Sequence, residues 1–439
     1  MADAPARVRA LQPVRRFGRI AGVSGALLEV EGLGSGVSVG ARLGVADGRG
    51  GLLTAEVTAL DGGRVAAMPF ADPTGIQSGA RADLLAPAMA IRPSHAWLGR
   101  VVDGLGNPAD GQGSLQQGPT PRPVRALPPP ATERGRVGAR VETGVGALDA
   151  FAPLCAGQRL GLFAGSGVGK STLMSMLARW TACDVAVIGL IGERGREVTE
   201  FLEDSLGPDG LARSVVVAAT SDEPAVMRRQ AAWTSLAVAE HFRDGGLHVL
   251  LLMDSVTRFA MAQREIGLAS GEPPATRGYT PSVFAELPRL LERAGPGPAG
   301  TGAITALFTV LVDGDDHNEP VADAVRGILD GHVVMSRRIA ERGRYPAVDL
   351  LRSVSRTLPG ALAPEQNRVR LAARELLSLH EDMDEMVRLG AYKSGANPEV
   401  DRAVALAPRI EALLRQDGSS RTSAHDLFAA LAALVDGPT

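Results

Sequence analysis

Residues Gly161 to Leu173 read GLFAGSGVGKSTL and hold one of only two lysines in a chain with 46 basic residues. The apolar run Arg159 to Ala164 leads into the stretch, and a helix-forming run leads out of it. Glycines in the turn let backbone N–H groups converge on an anion, and the opening of a helix adds positive potential. The stretch matches the phosphate-binding loop pattern with Ala164 in place of the first glycine, followed by Gly165, Ser166, Gly167, Val168, Gly169, Lys170, Ser171 and Thr172. In that reading Lys170 reaches the β and γ phosphates of ATP, and the Ser171 hydroxyl ligates Mg²⁺. The plainer alternative is a glycine-rich turn ahead of a core helix. A strand before the loop and a helix after it favour the phosphate site.

The segments around this loop set the fold class. Apolar runs at Val185 to Gly192, Ser214 to Ala219, His248 to Met253 and Ala303 to Val312 alternate with helical stretches such as Pro224 to Arg243. The alternation predicts an α/β fold with a parallel sheet over residues 93–366, which with the loop reads as a P-loop domain. Ligands of open α/β sheets gather at the C-terminal edges of the strands. HVLLLMDS, His248 to Ser255, ends a strand in Asp254. Alone, an Asp after a strand reads as a helix N-cap; with a phosphate loop upstream it reads as the metal anchor. VIGLIGERGREVTEF, Val187 to Phe201, likewise ends a strand in Glu193, with Arg194, Arg196 and Glu197 close by. Without the loop this would be a charge cluster at a helix start. Beside a nucleotide, Glu193 is the group that orients the attacking water.

On the N-terminal side, residues 18–92 break into short alternating segments punctuated by glycine: RIAGVSGALLEVEGL, ARLGVAD, LLTAEVTAL, RVAAMPF and ADLLA. Period-two alternation at this spacing predicts a small β-barrel. A Gly/Pro-rich stretch, residues 104–130, reads as a linker or an extended wrap. Residues 367–439 carry apolar residues at helical spacing and predict a C-terminal helical domain. Residues 1–17 form a basic N-terminal arm with no apolar region of the kind a secretory signal needs.

Composition narrows the partners. The net charge of -3 gives no basic field, and aromatics make up only 4% of the chain, so nucleic acid is not expected to bind. Two cysteines cannot form a disulfide framework, which fits a reducing cytoplasm. No run of 18 apolar residues offers a membrane span.

FAGSGVGKSTL, GERGREVTEF, LLLMDSVTRFAMAQREIGLASGEPPATRGYTPSVFAELPRLLERAG and DGDDHNEPVADAVRGILDGHVVMSR together resemble the ATPases of type III protein export, relatives of the rotary ATP synthase catalytic subunits. The resemblance covers nearly the whole chain from about residue 18 and implies that residues 93–366 form a RecA-like P-loop NTPase domain. GAYKSGANPEVDRAV, Gly390 to Val404, is more similar to the flagellar branch than to the virulence branch, although the two share most of this motif.

The resemblance implies roles for individual residues. Lys170 and Ser171 would serve phosphate and Mg²⁺, Glu193 would polarise the water, and Arg194 would lie near the γ-phosphate. Asp254 would reach Mg²⁺ through water, Arg258 would add a basic group, and Tyr345 in RGRYPAVD would stack on adenine. Arg356 in SVSRTLP would be the arginine finger that enters a neighbour's site. Rotary synthases divide the water-polarising Glu and the finger between different kinds of subunit, whereas this chain has both, so a homohexamer follows. The family further implies a regulatory or stator protein on the N-terminal arm, a central-stalk protein, export-gate membrane proteins, and export chaperones and substrates. Its place would be cytoplasmic, peripheral to the inner-membrane export apparatus. VETGVGALDAF departs from the family pattern, with Gly146 where arginine is usual. Three alternatives remain: a virulence secretion ATPase, a ring-shaped RNA translocase, and a noncatalytic nucleotide-binding subunit of a rotary synthase. The last would lack an acid at position 193.

Overall fold

The computed structural model describes residues 16–48, 50–312 and 319–437. The N-terminal arm therefore falls almost wholly outside the described residues, as do residues 313–318 of the DGDDHN motif.

Six strands, β1 (Phe17–Ser24), β2 (Leu27–Glu31), β3 (Arg42–Ala46), β4 (Leu52–Asp61), β5 (Arg64–Pro69) and β6 (Arg81–Ala86), close into an antiparallel barrel in the order β1-β2-β5-β4-β3-β6. The alternation in sequence is the alternation of faces. Leu28 and Val30 on β2 and Val65 and Ala67 on β5 fill the barrel, while their neighbours turn outward. The β4–β5 hairpin turns on Gly62 and Gly63, whose φ angles of 52° and 93° suit a two-residue turn matched to strand twist.

The central sheet contains β7 (Val101–Val102), β8 (Arg159–Ala164), β9 (Val185–Glu193), β10 (Ser214–Thr220), β11 (His248–Asp254), β12 (Ala303–Leu311), β13 (Gly331–Met335) and β14 (Val354–Ser355). Their order is β14-β13-β8-β12-β11-β9-β10-β7, with Gly295–Pro296 pairing beside β12 as a ninth strand off that path. All along the path are parallel except β14, which runs antiparallel to β13. Helices α1 (Lys170–Trp180), α2 (Ala225–Asp244) and α3 (Val256–Ala269) cover its faces. Being covered on both sides explains why these strands are continuous apolar runs. Val249 to Met253, for example, are all buried. The long strands lie within a residue or two of the predicted segments. β7 and β14 are two-residue strands, too short to leave a periodic signal.

The Gly/Pro-rich stretch is pinned to the domain as an extended wrap. Leu115 and Val124 are buried, the Trp97 indole donates to the Gln116 carbonyl at 3.1 Å, and Arg293 donates to the Val124 carbonyl at 2.7 Å.

Three C-terminal helices follow, α4 (Pro364–Arg388), α5 (Pro398–Leu413) and α6 (Ala424–Asp436). Proline opens α4 and α5, and Asn397 caps α5 by accepting from the Glu399 N–H at 2.9 Å. Their apolar faces share one core with the sheet: Val369, Leu377, Ile410 and Leu431 belong to the same buried cluster as Leu148, Leu173 and Leu177. The missing arginine at position 146 has a local reason. A side chain there would start 3.1 Å from Leu427 and 3.3 Å from Thr422, under α6.

The barrel is attached differently. Its interior is a separate cluster, and the junction combines a buried polar network with Met68 and Phe70, which pack into the core of the sheet. Glu56 pairs with Arg42 at 2.7 Å and with Arg229 of α2 at 2.8 Å. Arg42 also donates to Gln230 at 2.8 Å, and Arg229 to Gln263 of α3 at 3.2 Å. Burial by itself would push the Glu56 carboxyl up, but Arg229 and Arg42 together hold it below the usual range. Among the described residues no helix is long and apolar enough to cross a membrane.

Candidate nucleotide site

β8 ends at Ala164, the loop turns on Gly167 and Gly169 with φ of 77° and 88°, and α1 opens at Lys170. Buried Val168 anchors the loop, leaving Ser166 and Gly167 exposed. Ser171 and Thr172 stand exposed on the first turn of α1.

Lys170 is the centre of the charge cluster. Its Nζ lies 2.5 Å from Asp254 Oδ1 and 3.6 Å from Glu193 Oε1. The sheet order puts β12 between β8 and β11, and Thr309 of β12 donates to the same Asp254 oxygen at 2.6 Å. Nothing in the sequence singled out Thr309, a hydroxyl inside an apolar strand.

A backbone irregularity aims Glu193. The pairing of β9 with β10 shifts between Ile191 and Glu193, and Gly192 in the gap takes φ of 70°. The side chain that glycine lacks would start 3.2 Å from Arg258 Cβ, so Gly192 leaves that space to Arg258. The Glu193 carboxyl is pushed up to about 7, first by burial and then by the Asp254 carboxylate, with Lys170 and Arg258 pulling the other way.

Two polar atoms in this cluster, Glu193 Oε1 and Arg258 Nε, are buried with no hydrogen-bond partner. Buried polar groups are normally paired. An acceptor and a donor of this kind fit a bound water and a phosphate oxygen. Among the described residues no group of three His, Cys, Asp or Glu forms a metal cage. Mg²⁺ does not require one, since it is held by one or two protein oxygens together with nucleotide phosphates. The Ser171 hydroxyl and the Asp254 carboxylate fit that role.

Beside the loop lies a pocket of about 370 Å³ between α1, Tyr345 and Gln416 to Gly418. The Tyr345 ring is 44% exposed and lies 3.5 Å from where a Cβ on Gly169 would sit. The Gln416 N–H donates to the Tyr345 carbonyl at 2.7 Å. Its side chain accepts from Gly146 N at 3.1 Å and donates to the Gly144 carbonyl at 2.8 Å. The C-terminal domain thus forms one wall of the pocket, which the sequence pattern did not disclose.

Two of the sequence-selected arginines stand outside this cluster. Arg194 caps the helix Gly195–Glu200, and its side chain is 79% exposed and pairs with Glu197 at 3.0 Å. Arg356 follows β14, where its N–H donates to the Asp330 carbonyl at 3.0 Å. Asp330 in turn pairs with Arg159, the first residue of β8. Arg356 is therefore at the opposite end of β8 from the loop, about 16 Å away along the strand. Its guanidinium is exposed and makes no hydrogen bond or ion pair among the described residues.

Residues 144–355 match the ATP synthase alpha/beta family, nucleotide-binding domain, and residues 362–433 match the T3SS EscN ATPase C-terminal domain. The flagellum-specific ATP synthase of Caulobacter vibrioides is 55% identical over 98% of this chain and 98% of its own length. The type 3 secretion system ATPase of Xanthomonas euvesicatoria is 45% identical over 96% of this chain and 95% of its own. The assembled ATPase EscN of the enteropathogenic E. coli type III secretion system superposes with a TM-score of 0.88 at 38% identity, covering 95% of this chain and 100% of EscN. EscN in complex with its central stalk EscO superposes with a TM-score of 0.87 at the same identity and coverage.

Proposed function

The chain belongs to the family of flagellum-specific and type III secretion ATPases, and on that premise we propose that it works as a homohexamer energising flagellar protein export. It is an ATPase, converting ATP and water to ADP and phosphate. The 55% identity to a flagellum-specific relative over 98% of both chains supports the flagellar assignment.

The observation that carries the proposal is the separation of two sets of groups by one strand. Lys170, Glu193 and Asp254 gather at the C-terminal ends of the strands, while Arg356 projects unpaired from the other end. A finger so placed cannot serve its own loop and is available to a neighbour's. In the bound state, Lys170 exchanges its carboxylate partners for the β and γ phosphates. Backbone N–H groups of Ala164 to Ser171 surround those phosphates, with Thr172 at the edge of the pocket. Ser171, and Asp254 through water, would hold Mg²⁺, which would supply neutralisation of phosphate charge. Glu193 accepts a hydrogen bond from the attacking water and points it at the γ-phosphorus. Arg258 supplies charge from α3, Tyr345 stacks on adenine, and Arg194 reaches the γ-phosphate by leaving Glu197. Arg356 of the adjacent subunit stabilises the charge of the transition state.

The EscN–EscO complex supports a central-stalk partner for this chain. A stator protein on the N-terminal arm, export-gate proteins, and chaperones with their substrates complete the proposed set, at the cytoplasmic face of the inner membrane. RNA is disfavoured by the barrel: Phe70 is buried and Arg81 lies over the Phe17 ring at 4.2 Å.

ATPase rate against protein concentration tests the assembly: the rate per subunit rises steeply, and a flat profile contradicts interface-completed sites. Glu193→Gln stops turnover while ATP still binds. A strain lacking the chain does not swim; one that swims but fails to secrete effectors would move the assignment to virulence secretion.

A further inference from the structure

The loop that carries Arg356 is fastened to the first residues of β8 by a fully buried side chain, Gln158. Its Oε1 accepts from Cys155 N at 2.9 Å and from Thr357 Oγ1 at 3.5 Å. Its Nε2 donates to Ser355 Oγ at 2.8 Å and to the Asp330 carbonyl at 3.2 Å. Ser355 Oγ donates onward to the Pro153 carbonyl at 2.8 Å. The Asp330 carbonyl also receives the Arg356 N–H, and the Asp330 carboxylate is gripped by Arg159 through the backbone N–H and Nε at 3.1 Å each.

Both residues flanking Arg356 and the backbone of Arg356 itself are therefore tied, directly or through Asp330, to Gln158 and to Arg159, the first residue of β8. A parallel sheet does not need this. β14 is a two-residue strand at the edge, and an apolar side chain at position 158 would pack without a network to satisfy. A buried amide with four partners, all on one surface loop and its supports, specifies where that loop stands.

We propose that Gln158 is a positioning residue for the arginine finger: it fixes the Ser355–Thr357 backbone so that Arg356 projects at the height a neighbouring site requires. The proposal rests on the assignment of Arg356 as a finger acting in trans. Gln158 works on the neighbour's reaction and not on the loop at the far end of its own strand, although it is nearer to that loop in sequence than Arg356 is. A misplacement of about 1 Å can cost on the order of 100-fold in rate.

The test separates cis from trans effects by dilution. Gln158→Met removes all four hydrogen bonds and lowers turnover roughly 30-fold, between the wild type and a finger deletion. Ser355→Ala removes one of the four Gln158 bonds together with the bond to the Pro153 carbonyl, in case the first variant does not fold, and lowers turnover roughly threefold. The Kd for a fluorescent ATP analogue stays within about twofold of wild type in both, because the nucleotide loop is elsewhere. Each variant is then assembled with an about tenfold excess of Glu193→Gln subunits, so that nearly every competent site faces an intact finger. Arg356→Ala in the same excess is the reference, and wild type in the same excess sets the scale. All three variants recover the wild-type rate per competent subunit. If Arg356→Ala does not recover, the trans finger is wrong and this proposal falls with it. If Arg356→Ala recovers while Gln158→Met and Ser355→Ala stay depressed, the finger stands and the positioning role of Gln158 is overturned.

Discussion

The barrel and the C-terminal helices flank the same sheet but are joined to it by different balances of chemistry. At the barrel junction Arg42, Glu56, Arg229, Gln230 and Gln263 form a buried polar network, with Met68 and Phe70 of the barrel packed into the core of the sheet beside it. At the helical junction one apolar core runs from the sheet into α4, α5 and α6, with Gln416 and the Arg344–Glu411 pair as polar insertions. A buried ion-pair network adds little net stability yet is costly to leave half-made, so it enforces one docking geometry. A continuous core contributes stability without such directionality. Only the second junction touches the nucleotide pocket, through Gln416 to Gly418. Binding of ATP should therefore be felt by the C-terminal helices and hardly by the barrel.

The largest break in this contrast is Glu56→Ala. It strands Arg42 and Arg229 as buried, unpaired cations and lowers stability by about 3–5 kcal/mol, read as a shift in the denaturant midpoint of a barrel probe. The affinity for an ATP analogue is unchanged; a matching loss of affinity would show that the barrel is wired to the site. The contrast sharpens with the combined change Arg42→Met, Glu56→Leu, Arg229→Met, which restores stability to within about 1 kcal/mol of wild type or better. A combined variant as unstable as the single one would mean that the charges do more than fix geometry.

At the other junction, Gln416→Ala leaves Gly146 N without a partner, removes one of the two donors to the Gly144 carbonyl and costs about 1–3 kcal/mol. Here ATP-analogue affinity falls several-fold in the same variant, because the side chain holds in place the backbone N–H that supports Tyr345. Unchanged affinity would return that wall of the pocket to a passive role.

The smallest effects come from pH, and the two buried acids respond with opposite signs. Glu56 titrates below its ordinary value of 4.5, so its contribution is present above that value and is lost as pH falls further; the barrel junction loosens in acid. Glu193 titrates at about 7, above its ordinary value of 4.5, so the nucleotide-free site favours the protonated form and loses stability as pH rises from 4.5 to 7. Since kcat/KM reports the free enzyme, it rises with pH through an apparent value near 7, and a profile flat from pH 6 to 8 would separate Glu193 from the rate.

Much of the fold was legible because it rests on periodicity. The run Arg159 to Ala164 is a strand with those bounds, and the barrel segments alternate as their faces do. Lys170 could be chosen from the phosphate-loop pattern, and Glu193 and Asp254 because each ends an apolar run. Their meeting within ion-pair distance depends on strand order, which a single chain does not spell out. The same holds for Thr309, which matters only because β12 lies between β8 and β11. Gly192 was readable as a glycine in a strand but not as the bulge that turns Glu193. Arg194 illustrates the reverse case, since adjacency to Glu193 in sequence leaves its side chain on the surface. The polar barrel junction and the pocket wall at Gln416 are products of domain packing and had no local signature.

The scarcity of lysine has a practical consequence. The side-chain amines are Lys170, held at 13% side-chain exposure between two carboxylates, and Lys393, exposed in the turn between α4 and α5. An amine-reactive dye supplied with the nucleotide-loaded protein thus finds one accessible ε-amine, at the tip of the C-terminal hairpin. Apart from the chain's α-amine, the native sequence thus offers a single amine reporter on that hairpin without an engineered cysteine.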